Sequence, residues 1–212
     1  MSELINTQSQ NGSDLFAGDF PRVVKPVTIA AGQDLAAGTV LGKITKGAAT
    51  SVAKTGGNTG TGSLTLDSTT PIIANAQAGG YTAKCITAAT NGGIFRVTDP
   101  KGNVLGDVAV GSTFSDQIKF ALADGETDFV VGDGFDITIA AGSGYYKAYD
   151  DDNIDGSEKA VALLAEDVDA TDGAIPGGAY FAGCFNEDAL TGFDEAARTD
   201  FEGTPIFFGT IV

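Results

Sequence analysis

The chain has no histidine and no tryptophan, a single methionine and only two cysteines. Without imidazole, neither a Ser-His-Asp nor a Cys-His arrangement can form. A zinc site would have to rest on two distant thiols and carboxylates, a poor set for a closed tetrahedral centre. Cys85 and Cys184 each read as a small apolar core residue rather than as half of a disulfide. Proline is scarce as well, six against thirty glycines, which points to tight turns rather than disorder. Positive charge is in short supply: 12 Lys and Arg face 28 Asp and Glu, for a net charge of −16. Such a surface repels nucleic acid and anionic lipid, so neither is an expected partner. No apolar run approaches the length of a membrane span. The first ten residues lack a basic segment followed by an apolar one, so no signal peptide is read and synthesis in a cytoplasm is expected.

What is present is a 42% hydrophobic chain that changes style twice. Val23 to Lys54 reads as short strands and turns. A Gly/Thr-rich stretch of different character follows from Gly56 to Gly142, and Tyr145 onward returns to the first style. The charge follows the same division. Residues 1–55 carry five basic and four acidic groups, residues 56–143 four and nine, and residues 144–212 three and fifteen. One domain spliced into a surface turn of another explains this pattern, because such turns tolerate insertion when the guest's ends lie close together. The expected organisation is therefore a flexible arm over 1–20, a discontinuous domain of 21–55 plus 144–212, and an inserted domain over 56–143. The expected class is mainly β.

The arm is polar and aperiodic until an apolar cluster, Leu15, Phe16 and Phe20. These side chains serve either as anchors that order on a partner or as part of their own domain. Pro26 among Val23, Val24, Val27 and Ile29 predicts an edge strand or an irregular entry. In the middle stretch, Ser63–Asp67 and Gly80–Thr87 alternate, the latter placing Tyr81, Ala83 and Cys85 on one face. Ile94–Thr98, the turn Asp99–Asn103 and Val104–Val110 read as a hairpin. Phe114–Ala123 fits a strand or a short helix. Asp128–Val131 and Phe135–Ile139 read as a last hairpin. Six or seven strands of this spacing predict an immunoglobulin-like β-sandwich. Later, Glu187–Leu190 and Asp194–Arg198 are each long enough for a turn or two of helix, and Thr204–Val212 predicts a terminal strand.

Motifs that would carry chemistry fail on inspection. Gly38–Lys43 is one residue short of a phosphate-binding loop, is followed by Ile44, and reads as a strand. Gly57–Gly62 lacks a strand–loop–helix context and reads as a turn. Asp151, Asn153, Asp155 and Gly156 match the first half of a calcium loop, but the position that requires a bidentate Glu is Ala162. A solvated acidic turn is the expectation there. Asp124, Glu126 and Asp128 have no accompanying aromatic cleft. No catalytic residue, cofactor or metal is expected.

Three segments resemble the lambda-type head decoration protein family of tailed bacteriophages. They are Leu35–Thr45, Ala160–Ala170, and Ala179–Leu190 with Arg198–Ile206, in the family's order. The resemblance implies a small β-rich domain of β-tulip type with a minor helix, added to the outside of an expanded head at three-fold positions. It implies the major capsid protein as partner, a homotrimer, a virion location on the outer capsid surface, and an N-terminal arm that adds a strand to the shell. On that basis the apolar residues of the arm, Leu4, Ile5, Leu15, Phe16 and Phe20, are the candidate capsid contacts. Short family members lack the inserted domain, for which a surface glycan is a conceivable ligand. The alternative expectation is a carbohydrate-binding or adhesive module of a surface appendage.

Overall fold

The computed structural model describes residues 15–73 and 75–211. It is mainly β. In chain order the strands are β1 (Val23–Ile29), β2 (Gln33–Leu35), β3 (Val40–Lys43), β4 (Lys46–Ala53), β5 (Ser63–Leu66), β6 (Gly79–Ala89), β7 (Gly92–Thr98) and β8 (Val104–Ala109). They continue with β9 (Thr113–Ser115), β10 (Lys119–Ala123), β11 (Gly134–Ala141), β12 (Tyr146–Ala148), β13 (Ala160–Leu164), β14 (Val168–Ala170), β15 (Ile175–Asn186) and β16 (Ile206–Gly209). One α-helix is described, α1 (Glu195–Asp200), capped by Asp194, whose carboxylate accepts from the Ala197 N–H. Glu187–Ala189 forms a 3₁₀ turn.

The chain forms two compact units. The first holds the described residues up to Lys43, Tyr145–Asp152 and Ser157 onward; the second holds Ile44–Gly144 and Asn153–Gly156. The composition changes at Gly56 but the unit changes at Ile44, because β4 lies along β11 from Ala53↔Phe135 to Lys46↔Ala141.

In the first unit the sheet order β1-β12-β3-β13-β15 returns on itself through a β1–β15 pairing, so five strands close into a small barrel, with β16 added parallel to β15. Closure removes the exposed edges that an open sheet would have. Alternate residues of β3 and β13 enter two different cores. Leu41, Ala162 and Leu164 join Val27, Ile29 and Ala179 in one, to which the β2–β14 ribbon adds Leu35, Val168 and Ala170. Val40, Ala160 and Leu163 join Tyr149, Phe185, Ala197, Phe201 and Ile206 in the other. Strands buried on both faces read as continuous apolar runs, which is why Ala160–Leu164 shows no alternation. Pro26 is not on an open edge but inside the ladder, opposite Gly178. The Ala30 N–H donates to the Tyr146 carbonyl, so the even-numbered residues of β1 point away from β15, and β12 reaches only Ile29. The missing N–H of Pro26 therefore falls where no acceptor awaits it.

The second unit is a two-sheet sandwich, five strands in the order β4-β11-β6-β7-β8 and three in the order β5-β10-β9, around one core. Tyr81, Ala83 and Cys85 of β6 all point into that core. In place of tryptophan, phenylalanines fill it: Phe95 meets Phe129 edge-on at 4.9 Å, and Phe114 stacks on Phe120 at 5.3 Å. The strand order is not that of the immunoglobulin constant domain, whose first strand does not pair with its last. Phe114–Ala123 resolves into the β9–β10 hairpin.

Asp128–Val131 forms no strand, against the expected hairpin. The buried Asp133 carboxylate explains it. Its oxygens accept from the N–H groups of Thr59 (2.9 Å), Gly60 (2.9 Å) and Val130 (3.1 Å), with Lys54 Nζ at 3.5 Å. These bonds fold the 128–133 segment against the Gly57–Gly62 loop. A Cβ on Gly60 or Gly62 would sit 2.7 or 2.4 Å from the Phe129 ring. The glycine loop thus cradles a phenyl ring and a carboxylate of its own chain rather than a ligand.

Two stability predictions follow from these contacts. Burial pushes the Asp133 carboxyl up, but the backbone donors and Lys54 together hold it below its usual value. Its contribution is thus present above about pH 4 and lost as pH falls through the lowered folded value. Asp133→Asn is expected to cost about 1–3 kcal/mol in urea unfolding at neutral pH and much less near pH 3. An equal cost at both pH values would contradict the clamp. Second, a Cβ on Gly42 would lie 2.2 Å from the Ser157 carbonyl oxygen, whereas Gly173 has open space around it. Gly42→Ala should destabilise by at least about 2 kcal/mol and Gly173→Ala by under about 0.5, read from unfolding midpoints.

Candidate interaction surface

The residues before β1 do not leave the first unit at once. The Asn186 N–H donates to the Leu15 carbonyl at 2.9 Å and the Ala17 N–H to the Cys184 carbonyl at 3.1 Å. Phe16 faces Phe185 as an antiparallel bridge. The chain therefore runs antiparallel to the end of β15, on the same side that β1 occupies farther along. Backbone pairing of this kind needs no particular sequence, so it leaves no periodic signal over residues 15–17.

The side chains reinforce that anchorage. Leu15 is buried in the second barrel-unit core. Phe16 packs edge-on to Tyr180 and tilted to Phe185, both at 5.6 Å. The Arg22 guanidinium lies 4.3 Å from the Phe16 ring centre, a cation–π contact that closes over the anchor. Of the five candidate contacts, Leu15 and Phe16 thus pack within their own unit in the free chain. Phe20 stays partly exposed and meets Phe207 of β16 at 4.8 Å. Leu4 and Ile5 lie outside the described residues.

Besides Phe20 and its neighbour Phe207, the first unit leaves Val23, Val24 and Ile211 partly in water. A groove lined by Phe16, Ala17, Gly18, Asp19, Arg22, Thr210 and Ile211 joins the root of the arm to the last residues described. Phe207 and Ile211 were not among the sequence candidates. The only signal for them was the apolar character of Thr204–Val212, which by itself predicts a packed strand as readily as an exposed one. Arg198 forms a two-pronged ion pair with Glu187, at 3.1 and 2.5 Å, and lies 5.0 Å from the Phe193 ring centre. The Glu187 bond pushes the Arg198 pKa further up, and Arg198 holds the Glu187 carboxyl below its usual range. This pair ties α1 to the 3₁₀ turn that follows β15.

The remaining sequence candidates do not form sites. Gly38–Lys43 is a turn leading into β3. Asp150, Asp151 and Asp152 are exposed and close together, while the Asp155 carbonyl accepts from the N–H groups of Thr45 and Lys46 in the second unit. Cys85 is buried, Cys184 half-buried, and both are free thiols. Burial pushes the Cys85 thiol up, the reverse of what a reactive thiolate requires.

The family model for the bacteriophage lambda head decoration protein D matches residues 5–202. No curated protein matches the chain. Among solved structures, two crystal forms of Xanthomonas campestris FlgL are similar at 18% identity, with TM-scores of 0.33 and 0.32. Each match covers 52% of this chain and 34% or 33% of the FlgL chain, so the chain spans about a third of their length. That likeness is too slight to bear on function.

The two rings beside the groove should respond differently to substitution. Phe16→Ala is expected to cost about 2 kcal/mol because it empties part of a core. Phe207→Ser should cost under about 1 kcal/mol, since that ring is half in water and loses chiefly its contact with Phe20. Chemical unfolding of both variants measures the difference; equal costs would place Phe207 in the core with Phe16.

Proposed function

Because this chain belongs to the bacteriophage lambda head decoration protein D family, we propose that it binds the outer surface of an expanded tailed-phage head and stabilises it. A decoration role follows from the family; the attachment and its consequences are the proposal. The observation that carries it is the family match over 5–202, which runs through both units. The major capsid protein is the partner, and three copies associate at each three-fold position. The protein acts as a structural clamp and carries out no reaction.

The anchored root supports a division of labour along the first twenty residues. Leu15 and Phe16 fix the base of the arm, and the residues before them, with Leu4 and Ile5, supply the strand that pairs with the shell. Phe20, Phe207 and Ile211 give the shell an apolar surface beside that strand. Ordering an arm costs free energy on binding, so each single contact is modest. Many clamps across capsomer junctions resist internal pressure through their number. The second unit has a closed core of its own and is displayed on the particle exterior.

Purified protein mixed with undecorated expanded heads should co-sediment with them. Absence of co-sedimentation would sink the proposal. Removing residues 1–14 should weaken shell binding about tenfold or more while leaving the urea midpoint unchanged. The truncation stops there because Leu15 and Phe16 belong to the core. Undiminished binding by the shortened chain would take the arm out of the mechanism.

A further inference from the structure

The second unit carries a notch on the outer face of its five-stranded sheet, where β4 ends and β11 begins. The notch holds about 240 Å³, and Lys54, Thr82, Lys84, Gly132, Gly134 and Asp136 help to line it. Tyr81, Ala83, Phe135 and Ile137 point into the core, so by alternation Thr82, Lys84, Gly134 and Asp136 belong to the outer face. The register sets Lys84 opposite Gly134 and Thr82 opposite Asp136. On the other side of Gly134, its carbonyl accepts from the Lys54 N–H at 2.9 Å. Gly134 is therefore a gap between two lysines. A Cβ there would sit 2.8 Å from the Ala83 carbonyl oxygen, so no side chain can close it. The surrounding backbone is held in place. The Gly132 N–H donates to the Cys85 carbonyl at 3.0 Å, the Cys85 N–H to the Asp133 carbonyl at 2.7 Å, and Lys54 Nζ to the Gly132 carbonyl at 2.7 Å.

The charges around this gap are left open. Arg96 stands directly opposite Lys84 on β7 and spends its guanidinium on Asp107, at 2.8 and 2.9 Å. Like charges in directly opposed positions are unfavourable, and Lys84 has no acidic partner among the described residues to relieve it. Asp136 lies diagonally across the ladder from Lys84, a separation that long side chains span, yet the two form no ion pair. A free ammonium and a free carboxylate thus border one notch without closing on each other. Inorganic anions and polyphosphates would be repelled by Asp136. Nucleic acid would find no ring to stack on, since Phe135 is buried. A ligand that carries both one anionic group and hydroxyl donors matches both charges at once. The volume suits a single sugar ring, below the roughly 300 Å³ at which sites for larger ligands begin.

We propose that this notch binds one acidic sugar residue of the hexuronate type. The sugar carboxylate accepts from Lys84 Nζ, a charge-assisted bond that carries most of the affinity. A ring hydroxyl donates to the Asp136 carboxylate. Thr82 Oγ1, 2.7 Å from Thr98 Oγ1, offers a further hydrogen bond to a second hydroxyl. Lys54 is held by the Gly132 carbonyl and shapes one wall. The site lies wholly in the second unit, so it stands whether or not the first unit attaches to a shell.

Calorimetric titration of the full chain with a galacturonate trisaccharide tests this, with the methyl ester of the same trisaccharide and sodium acetate as controls. The free acid should bind. Both the ester and the Lys84→Gln variant should weaken binding about tenfold. Lys84→Arg should keep it within a few-fold, and Asp136→Asn should weaken it by about threefold or more. The urea midpoints of all three variants should match the parent, because neither side chain has a partner to lose. No binding of the free acid would overturn the proposal, as would equal binding by the ester or by Lys84→Gln. Displacement of the trisaccharide by acetate at equal concentration would reduce the notch to a simple anion site and overturn it as well.

Discussion

Everything in this fold depends on one pair of neighbours, Lys43 and Tyr146, which face each other across β3 and β12. The chain leaves the barrel after the first and returns just before the second, so any inserted sequence must begin and end one strand spacing apart, about 5 Å. The second unit meets this constraint with its own outermost residues. Its first strand, β4, pairs with its last, β11, and the Ile44 and Thr45 carbonyls accept from the N–H groups of Gly144 and Gly142. Each unit therefore treats the junction as an ordinary antiparallel ladder. Neither has to distort, and the three apolar clusters share no residue. Loop-closure entropy grows only slowly with length, so a barrel that tolerates a hairpin here also tolerates a folded domain.

The barrel places a second demand on the chain, this time at its beginning. β3 and β13 are buried on both faces, so a second apolar layer has to cover the outside of the barrel. α1 supplies Ala197, and the chain after it Phe201 and Ile206. Leu15 and Phe16 supply the rest, and they do so from the segment that looks, by composition, like the end of a flexible arm. The arm and the fold are therefore not separable at Phe20. The segment from Leu15 to Ala17 is structural, and Phe16 and Ala17 line the groove formed with Thr210 and Ile211.

Much of this was legible in the sequence, and what was missed has a common cause. β6 was readable because Tyr81, Ala83 and Cys85 alternate with exposed residues, a local signal that survives without knowledge of partners. The all-β character and the break in style were readable for the same reason. Asp128–Val131 was misread as a strand because its apolar residues suit one, while the groups that prevent it, the Thr59 and Gly60 amides on Asp133, come from far along the chain. The unit boundary at Ile44 was similarly hidden, since β4 is defined by its pairing with β11 and not by its own composition. Pro26 was read as the mark of an edge strand or an irregular entry; the register shift between Val23 and Val24 fits the second, while the closed barrel gives Pro26 itself a silent position inside the ladder that a local rule does not anticipate. Around the groove, Phe16 and Phe20 were visible as an apolar cluster, whereas Phe207 was not among the candidates. Phe16 and Phe207 have the same chemistry, and only the path of β15 between them decides which one faces the core.

The distribution of charge gives the surface a direction. The first 55 residues are close to neutral while the last third carries most of the negative charge. Three cations of the first segment are held over aromatic rings: Arg22 over Phe16, Lys25 over Phe181 and Lys43 over Tyr146. A stacked side chain keeps its charge but has already lost much of its rotamer freedom, so pairing it with a partner costs less entropy than pairing a free lysine. Arg22 lies on the groove itself. A partner with acidic groups is thus met there by one fixed positive charge beside Ile211, against a background that repels other acidic surfaces. Within the first unit, favourable contact with an acidic partner is therefore confined to the near-neutral first segment, where the ordered root holds Arg22 over Phe16.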